Sequence, residues 1–590
     1  MIVLGIHPGL HDASAALLDD YQVLGAVQLE RLNRVKGSGV EREAWAWPCV
    51  DELLSMQGLQ RSDVDAVAFT RESFPRIYLR KMQTPLRRLV TTLAPGTIAK
   101  RPTKILSNAL NEERSHDPAT LFDIEGFLAD SGFRGDVRVH WCNHHFAHAI
   151  TALFFTDWAE ALIYTADGHG DNVCSSARSL AEGKISCLFG GEEALLDPRR
   201  LDSLGFAYGF VTRALGFRML RHEGKVTGLA AYGEPTLYER MAEHFSVDAI
   251  GRVWCDWINF LELEAGINAI VGGARREDAA ASVQMLVEQV TLDSLSRILR
   301  QVPHRRLGLA GGLFANVKLN RFLAEHLDLD ALFIAPPMGD EGLSLGAALH
   351  FLLDRDGLAT WLDRRYRLED LYWGRDYDAI IDHVLALEPG ISRTGEAPVQ
   401  GAAARLASGK IGAVFSGRME FGPRALGARS ILANPSRRAV HDELNRRLSR
   451  TEFMPFAPVV TETDAARVFD VTSCNAYACR FMTITTDVRP EWRERIQAVV
   501  HVDGSARPQI ARRVANPLYY DILVDFTRKT GIPALVNTSF NVHEEPIVNR
   551  PEECVRALTD RRIDFVVTKH GLYTTSEGSA VTSSGASRRL

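Results

Sequence analysis

The segment Asn143-His144-His145-Phe146-Ala147-His148 places two imidazoles, His144 and His148, four residues apart. On a helix that spacing is one turn, so both rings share a face and can ligate one metal ion. Taken alone, the spacing more often reflects packing than ligation. Two carboxylates add to it. Asp167 begins the Asp167-Gly168-His169-Gly170-Asp171 loop, and Asp340 lies in Pro336-Pro337-Met338-Gly339-Asp340, each following a short apolar strand. Two His and two Asp form a mixed nitrogen and oxygen set that suits Fe(II), Mn or Zn.

A second chemistry is anion binding. Arg418, Arg424 and Arg429 lie six and five residues apart among small residues, just after a predicted buried strand. Guanidinium forks suit bidentate phosphate binding, and a partly buried Arg needs an anion. His501-Val-Asp-Gly-Ser-Ala-Arg507 and Val536-Asn537-Thr538-Ser539-Phe540-Asn541 are polar loops after predicted strands. Their side chains can cap helices, bind phosphate or hold a planar carbamoyl group.

Three glycine-bearing loops follow one another along the chain: Gly9-Leu10-His11-Asp12-Ala13-Ser14, then Asp167-Gly168-His169-Gly170, then Gly311-Gly312-Leu313-Phe314-Ala315-Asn316. Glycine lets backbone N–H groups approach phosphates closely. Each loop alone could be a tight turn. Their order resembles the phosphate-one, phosphate-two and adenosine motifs of the actin-like ATPase superfamily, which builds its nucleotide cleft between two duplicated α/β halves.

The elements that must carry these residues read as α/β. Ile2–Ile6, Ala13–Leu18 and Val23–Glu30 are predicted strands, and residues 40–60 look helical. Val137–Trp141, Ala161–Ala166, Leu307–Ala310 and Ala331–Ile334 are further strands that end at the loops above. Strands that end in Gly/Asp loops and lead into helices put ligands at those loops. Residues 353–395 are charged and turn-rich, with one amphipathic helix near Tyr377–Leu387, and are assigned as the connecting region. A second α/β pattern runs over 396–575: helix Val399–Ser408, strand Ile411–Ser416, and strands Ala498–Val502 and Ala534–Asn537. Residues 576–590 are Ser/Gly/Ala-rich and predicted disordered.

A chain of 590 residues is too long for one core. Its 46% hydrophobic and 24% charged residues are ordinary for a globular enzyme. The net charge of −6 disfavours broad nucleic-acid binding. The basic stretch Arg76–Lys104 reads as a solvated face, or as a path for an acidic ligand. Eight scattered cysteines with no Cys-x-x-Cys pair predict reduced thiols and a cytoplasmic location. No signal peptide and no transmembrane segment is read.

With these motifs in view, the chain resembles the TobZ/NodU/CmcH family of O-carbamoyltransferases from Gly5 to about Tyr573. The most specific pieces are His11-Asp12-Ala13-Ser14, Glu223-Gly224-Lys225-Val226-Thr227-Gly228, the stretch Gly417 to Leu432, and Asn537-Thr538-Ser539-Phe540-Asn541. The resemblance implies a TsaD-like, actin-like transfer domain over 1–352 and a YrdC-like domain over 396–575. It implies that the second makes carbamoyl adenylate from carbamoyl phosphate and Mg-ATP. The first, with an iron site, then passes the carbamoyl group to a small-molecule hydroxyl. By matching motifs, His144, His148, Asp167 and Asp340 fall on metal positions, and His11, with Asp12 beside it, on the catalytic histidine. Gly168, Gly311, Gly312, Asn316 and Lys225 fall to the nucleotide and transfer site. Arg418, Arg424, Arg429, Arg450, Arg507, Asn537 and Ser539 fall to the adenylation site. Many members carry basic residues where this chain has Leu448 and Met454.

Two other readings share parts of this pattern. A tRNA threonylcarbamoyl-transfer enzyme has both domain types, but the acidic balance argues against a tRNA acceptor. A non-catalytic, nucleotide-binding regulator on an actin-like fold would carry a further binding module, and no helix-turn-helix pattern is found. The expected partners are a small hydroxyl compound, no nucleic acid and no membrane, with a monomer or homodimer both open.

Overall fold

In the computed structural model, which describes residues 1–39, 46–71, 74, 78–80, 115–198, 200–449 and 455–575, the first unit is built on two sheets of the same plan. The first sheet holds β1 (Ile2–His7), β2 (Ser14–Asp19), β3 (Gln22–Gln28), β4 (Ala66–Thr70) and β5 (Arg138–Cys142), in the order β3-β2-β1-β4-β5. The second holds β6 (Ala161–Gly170), β7 (Val173–Ala181) and β8 (Lys184–Phe189). After a small hairpin, β9 (Phe245–Val247) with β10 (Val253–Cys255), come β11 (Arg306–Ala310) and β12 (Ala331–Ile334), giving the order β12-β11-β6-β7-β8. In both sheets the first three strands are antiparallel and the last two add in parallel. The shared order and direction make the unit a duplication, as an actin-like arrangement requires. Consequently the β1–β2 turn, which carries His11, and the β6–β7 turn are equivalent loops.

β1, β2 and β4 are buried almost throughout, which is why their sequences are near-continuous apolar runs rather than alternating ones. Two helices fill the space between the sheets. His144–Phe154 is capped by Asn143, whose side chain accepts from Phe146 N at 3.0 Å, and Leu343–Asp356 packs against it.

The second unit carries β13 (Tyr372–Asp376), β14 (Ile391–Arg393), β15 (Gly412–Phe415), β16 (Arg418–Glu420), β17 (Arg429–Ala433), β18 (Ala457–Thr461), β19 (Thr486–Asp487), β20 (Ser505–Ala506), β21 (Gln509–Ala511), β22 (Ala534–Ser539), β23 (Phe565–Val567) and β24 (Leu572–Thr575). Eight of these form one mixed sheet, β14-β24-β23-β15-β17-β22-β18-β21.

Several expected boundaries move. β3 ends at Gln28, and Leu29–Asn33 turns helical. The presumed loop at Asp167 is strand, because β6 continues to Gly170 and turns at Asp171-Asn172, both at positive φ. Ala498–Val502 is no strand: Gln497–Val499 is a 3-10 turn, and this short apolar run simply packs inward. The connecting region 353–395 carries the expected helix, at Ile381–Leu387, and two strands as well: β13 pairs with β16, and β14 joins the edge of the large sheet. Helix 40–60 is seen as Trp47–Gln57, while residues 40–45 lie outside the described residues. Residues 81–104 of the basic stretch and the tail 576–590 also lie outside them. All eight cysteines are free. Among the described residues no helix is long and apolar enough to cross a membrane.

Candidate active site

His144 and His148 project from one face of their helix toward the end of β6. Gly170 makes the approach possible, since a Cβ there would lie 2.2 Å from the His144 ring. His148 Nε2 is 3.0 Å from Asp167 Oδ2, and His144 Nε2 is 3.8 Å from the same oxygen. Asp340, in the turn after β12, brings Oδ1 to 3.7 Å from both rings. One ligand atom from each of the four residues lies within 4.8 Å of the others. His145 is excluded, because its Nδ1 meets Thr165 Oγ1 at 2.8 Å and its Nε2 meets the Val173 carbonyl at 3.0 Å.

The electrostatics fit a cation. His144 Nε2 is buried with no hydrogen-bond partner. Burial penalises the charge on Asp167, yet the neighbouring His144 and His148 rings hold its carboxyl well below the usual range. Burial likewise opposes the charge on His148, but Asp167 and Asp340 outweigh it and hold the ring at about 9. Once the ring protons are released, two half-buried carboxylates and two imidazole nitrogens are the donor set of a divalent ion such as Fe(II), Mn or Zn.

His11 stands on the other side of Asp340. Its Nε2 lies 3.7 Å from Asp340 Oδ2 and its Nδ1 3.0 Å from Asp12 Oδ2. Asp12 sits at φ 52, and this strained turn is held by a neighbouring loop: Asp12 N donates to Gly37 O at 3.3 Å and Ala13 N to Ser38 O at 3.0 Å. Burial lowers the His11 pKa, but the Asp12 bond and the charge on Asp340 carry it to about 9. His7 is buried behind it, 3.8 Å from Asp340, and desolvation lowers its pKa to about 4.

Between the two units lies a cavity of about 260 Å³. The second unit lines it with Arg424, Arg507, Asn537, Ser539 and His543, and the first with Lys36, Arg221 and Lys225. Five permanent cations thus surround one space, a setting for polyphosphate. Lys225 Nζ is 3.3 Å from His543 Nε2. At the rim, His222 Nδ1 accepts from Arg218 N at 3.1 Å, so its Nε2 carries the proton given to Glu544 at 2.8 Å. That tautomer makes His222 a hydrogen-bond donor across the cleft rather than a metal ligand. Asn537 Nδ2 donates to Ala425 O and to Gln509 Oε1, at 3.0 and 2.7 Å.

Two of the three clustered arginines are elsewhere, which corrects the reading of Arg418 and Arg429 as phosphate ligands. Arg418 gives its guanidinium to the carbonyls of Gly374, Trp373 and, across the unit boundary, Leu24. Arg429 is fully buried, bonded to the carbonyls of Ser416, Gly417 and Ala428, with its guanidinium carbon 3.8 Å above the Phe415 ring. Backbone carbonyls, not an anion, take Nε and Nη2 of Arg418 and both Nη groups of Arg429, whose Nε is left buried without a partner. Glu420, not singled out from sequence, shapes the loop that presents Arg424: its buried carboxylate accepts from Leu426, Ala428 and Arg429 N.

Asn316 caps the helix Val317–His326 and donates to Gln284, so its neighbours Ala315 and Val317 line the cavity instead. Gly168 and Gly312 lie against Asp167, the first donating N–H to its Oδ1 at 2.6 Å, and Gly311 N bonds to Met338 O. Leu448 is packed in the core, and Arg450 and Met454 lie outside the described residues. Arg221, Lys36 and His543 escaped the sequence reading. Arg221 alone had a signal, standing four residues before Lys225 of the Glu223-Gly224-Lys225 motif.

The chain matches the family models for the carbamoyltransferase N-terminus over residues 2–349 and the carbamoyltransferase C-terminus over 403–574. It is 32% identical to nodulation protein NolNO of Sinorhizobium fredii, over 95% of this chain and 78% of that one. It is 32% identical to nodulation protein NolO of Bradyrhizobium diazoefficiens, over 72% and 77%. Among solved structures it is similar to HypF of T. kodakarensis, with 13% identity, a TM-score of 0.33, and coverage of 60% of this chain and 48% of that one.

Proposed function

The chain belongs to the carbamoyltransferase family, and from that premise we propose that it is an ATP-dependent O-carbamoyltransferase acting on a small-molecule hydroxyl. The observation that supports this most is the cavity itself: five cations from two units line one space, and Arg221 on its wall reaches the His11–Asp12 turn. In the first half-reaction, carbamoyl phosphate, ATP and one water give carbamoyl adenylate, orthophosphate and pyrophosphate. Arg424, Arg507 and Lys225 hold the phosphates, while Asn537 and Ser539 face the same space. Buried cations aimed at phosphate oxygens stabilise the charge that shifts onto the leaving pyrophosphate.

In the second half-reaction the acceptor oxygen attacks the carbamoyl carbon. His11, in the neutral form that prevails above its pKa of about 9, takes the hydroxyl proton on Nε2, and Asp12 on Nδ1 fixes the ring's orientation. The bond from the carbamoyl carbon to the AMP oxygen breaks, and AMP departs. His144, His148, Asp167 and Asp340 would hold a divalent ion that would supply Lewis-acid polarisation beside that base. The test is pyrophosphate release from ATP. It should depend on carbamoyl phosphate, and a mass screen of hydroxyl compounds should then find one gaining a CONH unit. Pyrophosphate release indifferent to carbamoyl phosphate would sink the proposal.

A further inference from the structure

Arg221 is a cation of the cavity wall that also touches the turn bearing the candidate base. It belongs to the stretch before helix Glu223–Leu229 and lines the cavity. Its Nη2 donates to the carbonyl of Gly37, and its Nη1 lies 3.8 Å from Asp12 Oδ1. Gly37 is shaped to receive it: the residue sits at φ +55, and a Cβ there would fall 1.3 Å from Arg221 Nη1. The guanidinium therefore lies against the Gly37 backbone, in space that a side chain at 37 would take from it. The same Gly37 carbonyl accepts from Asp12 N, so one short loop fixes both Arg221 and the His11–Asp12 turn. Arg424 and Arg507 stand on the opposite wall, in the other unit.

A phosphate bound to Arg221 is thus next to the base, whereas a phosphate held only by Arg424 and Arg507 belongs to the other unit. We propose that Arg221 is a catalytic residue of the transfer step and binds the phosphate of the departing AMP. The inference rests on the adenylate reading above. The adenylate phosphate carries one negative charge. As the acceptor oxygen bonds to the carbamoyl carbon and the C–O bond to phosphate breaks, the electron pair moves onto the AMP oxygen. The hydroxyl proton goes to His11 Nε2, and AMP leaves with a second negative charge. A fixed cation at that phosphate stabilises the transition state more than the bound adenylate, which is the condition for raising the rate. Unlike His11, it acts on the leaving group and not on the nucleophile.

The experiment is a single turnover of the full-length protein with ATP and carbamoyl phosphate, with methanol and water as acceptors, following pyrophosphate and AMP separately. Arg221→Ala should slow AMP release by about 10²-fold and pyrophosphate release far less. Arg221→Lys should recover part of the AMP rate. Millimolar guanidinium should restore AMP release by Arg221→Ala, an outcome that a purely structural role would not give. AMP release at the wild-type rate would overturn the proposal. So would joint loss of pyrophosphate and AMP without guanidinium rescue, which would place Arg221 in folding or in the first half-reaction. Wild-type protein lacking carbamoyl-phosphate-dependent pyrophosphate release would instead refute the adenylate reading.

Discussion

Asp340 Oδ2 lies 3.7 Å from His11 Nε2, while Oδ1 of the same carboxylate lies 3.7 Å from Nε2 of both His144 and His148. One side chain therefore joins the candidate base to the candidate metal centre. Groups that act through a shared partner do not contribute independently to a rate. His11→Asn and Asp340→Asn should each slow transfer by about 10²-fold or more. The double variant should be no slower than the worse single one. Losses that multiply would show that the two residues act separately.

The metal set makes a second prediction. His144→Ala and His148→Ala should lower bound Fe, Mn or Zn and stop transfer. Pyrophosphate release should persist, because Arg424 and Arg507 stand in the other unit. His145→Ala is the internal control. Both its ring nitrogens are engaged inside the protein, so its loss should cost about 1–3 kcal/mol of stability with metal content unchanged. Full occupancy in both His144→Ala and His148→Ala, measured by elemental analysis, would make the pair structural.

The arginines divide in a third prediction. Arg424→Ala or Arg507→Ala should reduce pyrophosphate release by about 10²-fold with little change in unfolding midpoint. Arg429→Ala should do the reverse first. It leaves three buried carbonyls without their donor and the buried Glu420 carboxylate without its counter-charge, a loss of about 3 kcal/mol or more. Chemical denaturation beside a pyrophosphate assay separates the two groups. Equal stability loss in all three variants would erase the distinction.

These arginines also mark where sequence ceases to be informative. The flanking strand correctly implied burial at 418–429, and a buried guanidinium does need acceptors. Spacing cannot say whether those acceptors come from a ligand or from carbonyls such as Leu24, nearly 400 residues away. The cluster of His144, His148, Asp167 and Asp340 was legible because helical period places His144 over His148 locally, and because strand ends are where α/β folds leave loop carboxylates. That Asp340 would also face His11 depends on how β1 and β12 sit in two different sheets, which no local pattern encodes. Asp167-Gly-His-Gly looked like a loop because glycine weakens strand propensity. In the fold Gly170 is there to admit the His144 ring, so the strand runs on. Arg221 and Lys36 were missed because a cavity between units is assembled from loops that are separate in sequence.

The last prediction concerns acid. His350 Nδ1 and His140 Nε2 are 2.7 Å apart on the flank of the first sheet. Burial, then the charges of His140, Arg178 and Arg71, lower the pKa of His350 to about 3. Burial also lowers His501 to about 4, with Arg507, Lys318 and Arg321 adding to the effect and Asp503 opposing it. Both rings are therefore neutral in the folded chain where an unfolded histidine, with a pKa near 6.5, becomes charged. The unfolded state binds the extra protons, so the sign is fixed. The contribution of these two rings is complete above pH 6.5 and falls as pH drops from there toward 4, against the opposite contribution of the raised His11 and His148. Each ring can account for at most about 3 kcal/mol over that window. Urea unfolding of wild type and His350→Gln at pH 7 and pH 5 isolates the contribution of that ring as the difference between the two proteins. His350→Gln should be less stable than the wild type at pH 7, having lost a packed ring, yet lose less on going to pH 5. A variant whose deficit stays constant between the two pH values would mean that His350 is protonated in the folded protein too.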